Sequence, residues 1–217
     1  MTVRLLVADD QELIRDGLET ILAAQPDLEV VGSAADGTEA VRLARELRPD
    51  VTLMDIRMPG TDGLQATRQL LSGPDEAPTR VLVLTTFDED ALVLDALRAG
   101  ASGFLLKDVP RRRLVEAIHA VHAGDLELSS AITRRLVEHR LGARRDPTRT
   151  PALERLTDRE VEVLTLIARG ATNAELAGSL HLSESTIKTH VGQLLHKLAV
   201  RDRVQLVIFA YDVGLVG

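Results

Sequence analysis

A length of 217 residues with 45% hydrophobic and 27% charged residues is the balance of a globular protein that buries a core, which excludes a disordered or fibrous chain and fits one large domain or two small ones. No apolar run approaches the roughly 20 residues of a membrane span, the first ten residues turn acidic where a signal peptide would be apolar, and there is no cysteine; a cytoplasmic protein without membrane insertion, disulfide or thiolate chemistry is expected. Residues 1–124 carry 13 Lys+Arg against 21 Asp+Glu and residues 125–217 carry 13 against 12, so any nucleic-acid contact must come from a local surface rather than from the net charge of −7.

Short apolar runs recur with helical stretches between them: Val3–Ala8, Leu28–Ala34, Val51–Asp55, 81–86 and 103–108. Their starts lie 22 to 30 residues apart, enough for one crossover helix each. The spacing therefore predicts a doubly wound α/β domain with a five-stranded parallel sheet, ending near Gly124. Sheets of this kind place their sites at the carboxyl ends of the strands.

From 125 to 150 the pattern becomes a predicted helix over 130–141 and then a linker, where two prolines, a glycine and three arginines fall within 142–151 and supply no apolar face. Residues 151–217 read as an all-α domain of four short helices. Thr157 with Glu160 and Thr172 with Glu175 fit capping boxes, which predicts helix starts at 158 and 173. Gly170 supplies a stop, and Ser183 caps a third helix running to about Leu198. With the turn His181-Leu182-Ser183 between them, the second and third helices have the layout of a helix-turn-helix.

In the first domain the predicted strand ends bring together Asp9-Asp10, Asp55, Thr85-Thr86 and Lys107. Three acids at one edge repel one another unless a hard cation sits among them, and oxygen ligands suit Mg²⁺. With Mg²⁺ present, one carboxylate could accept a phosphoryl group whose charge the metal and a lysine neutralise, with Thr85 donating to it.

These residues resemble the receiver domain of the CheY-like class. Asp9 and Asp10 match its acidic pair, and Asp55, within Leu53-Met54-Asp55-Ile56-Arg57-Met58-Pro59-Gly60, matches its phosphoacceptor. Thr85 matches the switch hydroxyl, Phe104 the switch aromatic and Lys107 the lysine, with spacings of 45, 30 and 22 residues from Asp10 through Asp55 and Thr85 to Lys107. The resemblance implies a sheet order of 2-1-3-4-5 and an Mg²⁺ held by Asp10, Asp55 and the backbone carbonyl of Arg57, with Asp9 acting through water. It also implies phosphorylation by a sensor histidine kinase, after which Thr85 moves toward the phosphoryl group and Phe104 rotates inward.

Residues 151–217 resemble the DNA-binding domain of LuxR-type regulators, and the pairing with a receiver is that of the NarL/FixJ subfamily. The resemblance places the third helix in the major groove of promoter DNA. Ile187, Val191, Leu194 and Leu198 face the core, so Lys188, Thr189, Gly192 and Gln193 face outward. Lys188 and Thr189 are candidates for base contacts, Gln193 shares their face, and Ser185 and Thr186 suit phosphate contacts at the helix start. Gly192 departs from the longer polar side chain that relatives often carry. The expected output is a homodimer formed on phosphorylation and reading two half-sites, with Val204, Val207 and Ile208 of the last helix as the candidate dimer face and packing into the domain's own core as the alternative for the same residues.

Three rival readings stay open at this stage. An aspartyl phosphatase would use Asp55 in turnover, but the dehalogenase type needs a second acid two residues on, where Arg57 stands. A regulator with a vestigial receiver would act without phosphate, and one with an inert helix-turn-helix would act through protein contacts. The reading preferred is a phosphoacceptor that is not a turnover enzyme.

Overall fold

Every apolar run marked in the first half becomes a strand: β1 (Val3–Ala8), β2 (Leu28–Ala34), β3 (Val51–Asp55), β4 (Arg80–Thr85) and β5 (Gly103–Leu106). These belong to a computed structural model that describes residues 2–72, 79–86, 90–124 and 153–216. The chain divides into two units, Met1–Leu128 and Ser129–Gly217. The expected helix and linker over 125–150 lie outside the described residues.

In the first unit the strands form one parallel sheet in the order β2-β1-β3-β4-β5. Between them run α1 (Glu12–Ala23), α2 (Gly37–Leu47), α3 (Gly63–Leu71) and α4 (Asp90–Arg98), and α5 (Arg111–Ala123) follows β5. Alternate strand residues Leu5, Val7, Leu53, Leu82, Leu84 and Leu105 pack with Leu22 of α1 and with Leu114, Ala117, Ile118 and Val121 of α5. The intervening residues, among them Leu6, Met54, Val83 and Phe104, are equally buried. A strand covered on both faces reads as an unbroken apolar run, as in Val81–Leu84 of β4, where all four residues are buried. Each such Leu or Val is worth about 1.5–3 kcal/mol over its exposed state.

The edges of β4 and β5 differ from the sequence reading by one or two residues. Lys107 donates its backbone N–H to the Thr85 carbonyl at 2.8 Å as the pairing ends, so Lys107 is the first residue past β5 and Asp108 lies in a turn.

The second unit begins with a 3-10 turn (Leu153–Arg155), absent from the sequence reading, and continues as α6 (Asp158–Ala168), α7 (Asn173–Leu180), α8 (Glu184–Leu198) and α9 (Arg203–Asp212). Both expected capping boxes form in full, at Thr157/Glu160 and Thr172/Glu175. Ser183 accepts from the Thr186 N–H, and Asp202 caps α9 in the same way. Gly170 stops α6 with φ 87°, while His181 and Ala199 take left-handed conformations that end α7 and α8.

The core of this unit joins Val163, Leu164 and Ile167 of α6 to Leu176, Ile187, Leu194, Val204, Leu206 and Val207. Of the two uses expected for the last helix, Val204 and Val207 take the core one. Val204 and Val207 are 1% exposed, and Ile208 is half-buried. A domain of four short helices needs the apolar side of α9 to cover α6, so Val204 and Val207 are not exposed to a second chain.

Candidate functional site

β1 runs out at Ala8 and delivers Asp9 and Asp10, and β3 ends on Asp55. Asp9 is 1% exposed and Asp55 4%, whereas Asp10 is open to solvent. One carboxylate oxygen from each lies within 4.8 Å of the others. Lys107 reaches into this cluster from the end of β5, its Nζ lying 2.5 Å from Asp9 Oδ2 and 3.2 Å from Asp55 Oδ2. The remaining oxygens are also held: Asp9 Oδ1 accepts from Gln11 N–H at 3.1 Å and Asp55 Oδ1 from Ile56 N–H at 2.9 Å. Arg15 donates to the Asp9 carbonyl at 2.7 Å, which ties α1 to the strand end.

Burial pushes the Asp55 carboxyl above its usual range; the Lys107 ammonium opposes this and the nearby Asp9 charge adds to it. The sequence reading treated a metal as the one remedy for self-repulsion among the acids. Lys107 is a second, built-in counter-ion. An all-oxygen set of three carboxylates, two of them buried, fits a hard divalent cation such as Mg²⁺.

The loop that follows Asp55 is held close by Gly63. A Cβ there would fall 1.9 Å from the Asp55 carbonyl oxygen, so only glycine lets the first turn of α3 close over the strand end, where its N–H donates to Ile56 O at 2.9 Å. The Asp62 side chain caps α3 through Gln65 N–H at 2.7 Å. Arg57 lies in this loop with an exposed side chain.

Thr85, fully buried, ends β4 one residue beyond Leu84, the register partner of Asp55. Phe104 pairs with Val83 and is also fully buried. The structure thus gathers Asp9, Asp10, Asp55 and Lys107 at one point and sets Thr85 and Phe104 on the adjoining strands.

In the second unit α8 presents Ser185, Lys188, Thr189, Gly192 and Gln193 to solvent, with Ile187 and Leu194 buried beneath. Thr186 is half-buried, and its hydroxyl and that of Ser185 both lie 2.8 Å from Ser183 Oγ, forming a hydroxyl cluster at the start of α8. Thr189 Oγ1 donates to the Ser185 carbonyl at 3.1 Å, leaving its methyl and lone pairs for an outside partner.

Two further buried side chains tie the helices of this unit together: Glu160, read in the sequence only as a helix cap, and Arg203, not singled out there. Glu160, 4% exposed, uses one oxygen to accept from Thr157 N–H (2.9 Å), Thr157 Oγ1 (3.1 Å) and Lys197 Nζ (2.7 Å), joining the start of α6 to the end of α8. Burial pushes its carboxyl up, but the hydrogen bonds from Lys197 and Thr157 outweigh that and hold it below its usual range. Arg203, also 4% exposed, donates to Asn173 Oδ1 at 2.6 Å and to the Ala171 carbonyl at 2.5 Å, fixing α9 against the start of α7. The capping box was visible as a spacing of three residues. Its tie to Lys197, 37 residues on, follows no local period.

A parallel sheet with acids and a lysine at its strand ends, followed by a helix-turn-helix with a polar outer face, defines a receiver-coupled DNA-binding regulator. Residues 5–119 match the response regulator receiver domain, and residues 154–210 match bacterial regulatory proteins of the luxR family. The chain is 42% identical to the transcriptional regulatory protein LiaR of Bacillus subtilis, over 99% of this chain and 100% of that one. It is 40% identical to the response regulator VraR of Staphylococcus aureus over the whole of both chains. The crystal structure of the response regulator ChrA, from a heme-sensing two-component system, matches with a TM-score of 0.51 and 34% identity over 99% of each chain. This protein belongs to the response regulator family, in the branch that carries a LuxR-type DNA-binding domain, and is a transcriptional response regulator.

Proposed function

We propose that a sensor histidine kinase transfers a phosphoryl group to Asp55, and that the phosphorylated chain dimerises and binds promoter DNA sequence-specifically to regulate transcription. The observation that carries this reading is the convergence of Asp9, Asp10 and Asp55 oxygens within 4.8 Å, with Lys107 bridging two of them. Asp10, Asp55 and the Arg57 carbonyl would hold Mg²⁺, with Asp9 acting through water, and the ion would supply charge neutralisation at the transferring phosphoryl group. An Asp55 oxygen attacks phosphorus, the P–N bond to the kinase histidine breaks, and the imidazole leaves with the bonding pair. Lys107 then pairs with a phosphoryl oxygen, and the Thr85 hydroxyl turns to donate to another. Displacing Thr85 from its buried place beside β5 alters the packing around Phe104, and this is the two-state element that phosphorylation biases. Moving such an element from 1:99 to 99:1 takes about 5.5 kcal/mol of differential stabilisation.

The phosphoryl group is lost by self-hydrolysis, and the protein is not a turnover enzyme. No helix among the described residues is long and apolar enough to cross a membrane. The cytoplasm, where chromosomal DNA lies, is the proposed place of action.

Gel shift and sizing of the wild type and Asp55→Asn, each with and without Mg²⁺ and acetyl phosphate, test the proposal. Gain of DNA affinity and dimerisation by the wild type alone is the expected result. Equal binding by both, whatever the phosphate, overturns the switch and leaves a receiver that acts without phosphate.

A further inference from the structure

Gly192 stands near the middle of α8, and nothing among the described residues requires a glycine there. Its backbone is ordinary helix, and a Cβ built on it meets no heavy atom within 4 Å. A glycine inside a helix weakens it relative to alanine. Gly17 and Gly178 are equally open, but Gly192 alone of the three lies in the outward row of α8 with Lys188, Thr189 and Gln193. It also borders an open groove lined by Glu160, Thr189, Gly192, Gln193, His196 and Lys197.

The lining decides what fits. Lys197 is paired with the Glu160 carboxylate at 2.7 Å, so the groove offers no uncompensated lysine to a phosphate, and that carboxylate disfavours one. What remains is the missing side chain of Gly192, the Thr189 methyl, the Gln193 amide and, one turn further along α8, the His196 imidazole; of these only the Gly192 gap and the Thr189 methyl are apolar. We infer that Gly192 is a specificity-determining position, where the space it leaves on α8 accepts the methyl group of a thymine in the major groove. Gln193, one residue on, carries the amide that pairs with adenine N6 and N7, so the preferred step contains an A·T pair. The inference rests on the reading that α8 enters the major groove, and it adds which base is read there.

The test uses the full chain with Mg²⁺ and acetyl phosphate to select binding sites from a random duplex pool. The selected duplex is then remade with uracil for thymine at one position at a time, which deletes only the methyl. A loss of about 4-fold is expected at one position in each half-site, the worth of one buried methyl-sized group. Gly192→Ala fills the space from the protein side, so it is expected to raise Tm, lower affinity for the selected duplex several-fold and abolish the uracil penalty. Stability and affinity thus move in opposite directions, which a purely structural role does not produce. The inference is overturned if no uracil substitution matters, if Gly192→Ala keeps the affinity and the penalty, or if Gly192→Ala lowers Tm. Failure to enrich any sequence overturns the promoter-reading proposal itself.

Discussion

Removing the Lys107 ammonium leaves Asp9 and Asp55, both nearly inaccessible, without their shared counter-ion. Breaking one side of a buried charge pair costs about 3–5 kcal/mol, so Lys107→Met is expected to destabilise the metal-free protein by about 3 kcal/mol. Mg²⁺ offers a replacement charge; the Tm gain on adding it is expected to be larger in Lys107→Met than in the wild type. Equal gains would mean that Lys107 and the ion do not compensate the same charge. Asp55 and Glu160 contribute pH dependences of opposite sign. Asp55 has a raised carboxyl pKa, so its native form holds the proton more tightly than the unfolded chain does. Its contribution to stability is complete below the ordinary aspartate range and is lost as pH rises through the raised value. Mg²⁺ needs the ionised form, so Mg²⁺ affinity is expected to fall as pH drops through the same window. A Mg²⁺ titration followed by calorimetry at several pH values checks this, since a pH-independent constant would remove Asp55 from the ligand set. Glu160 is the reverse case. Its carboxyl is held down, so its contribution is present above the ordinary glutamate range and lost as pH falls through the lowered value.

Element ends show where local chemistry decides and where it does not. Ala199 ends α8 in a left-handed conformation with φ 52°, and Val200 N–H returns to Leu195 O at 3.0 Å. A left-handed alanine costs about 1–2 kcal/mol, so Ala199→Gly is expected to stabilise the second unit by about 1 kcal/mol in urea unfolding, with no change in the slope. Gly63→Ala has the opposite sign, because its Cβ would meet the Asp55 carbonyl rather than open space. The first three strands and all four helices of the second unit could be read from the sequence because apolar runs and side-chain caps are local signals. The ends of β4 and β5 could not, because they depend on where pairing with a neighbour stops, as at Thr85 and Lys107. The site was legible as strand-end acids and a lysine. What escaped was the direct Lys107 bridge between Asp9 and Asp55 and the Glu160–Lys197 tie, and the choice between core and dimer face for Val204 and Val207 stayed open. All of these depend on which elements meet, and no spacing along the chain encodes that.

At the scale of the molecule, phosphorylation makes an acidic chain more acidic, yet the proposed outcome is tighter binding to a polyanion. Added charge cannot be the cause, and residues 151–217, with 7 Lys+Arg against 8 Asp+Glu, supply little long-range attraction of their own. Affinity must come from joining two weak readers, so that the second domain binds at the effective concentration set by the first. This account fixes a measurable ratio. The logarithm of affinity falls with the logarithm of salt by about 0.9 for each phosphate neutralised, so a dimer that seats both domains is expected to show about twice the slope of the Asp55→Asn monomer on the same duplex. Shortening the spacer between half-sites by five base pairs, half a helical turn, is expected to bring the slope of the phosphorylated protein back to the monomer value. Equal slopes on the unaltered duplex would mean that only one domain engages, and that phosphorylation acts on α8 within a single chain rather than through pairing.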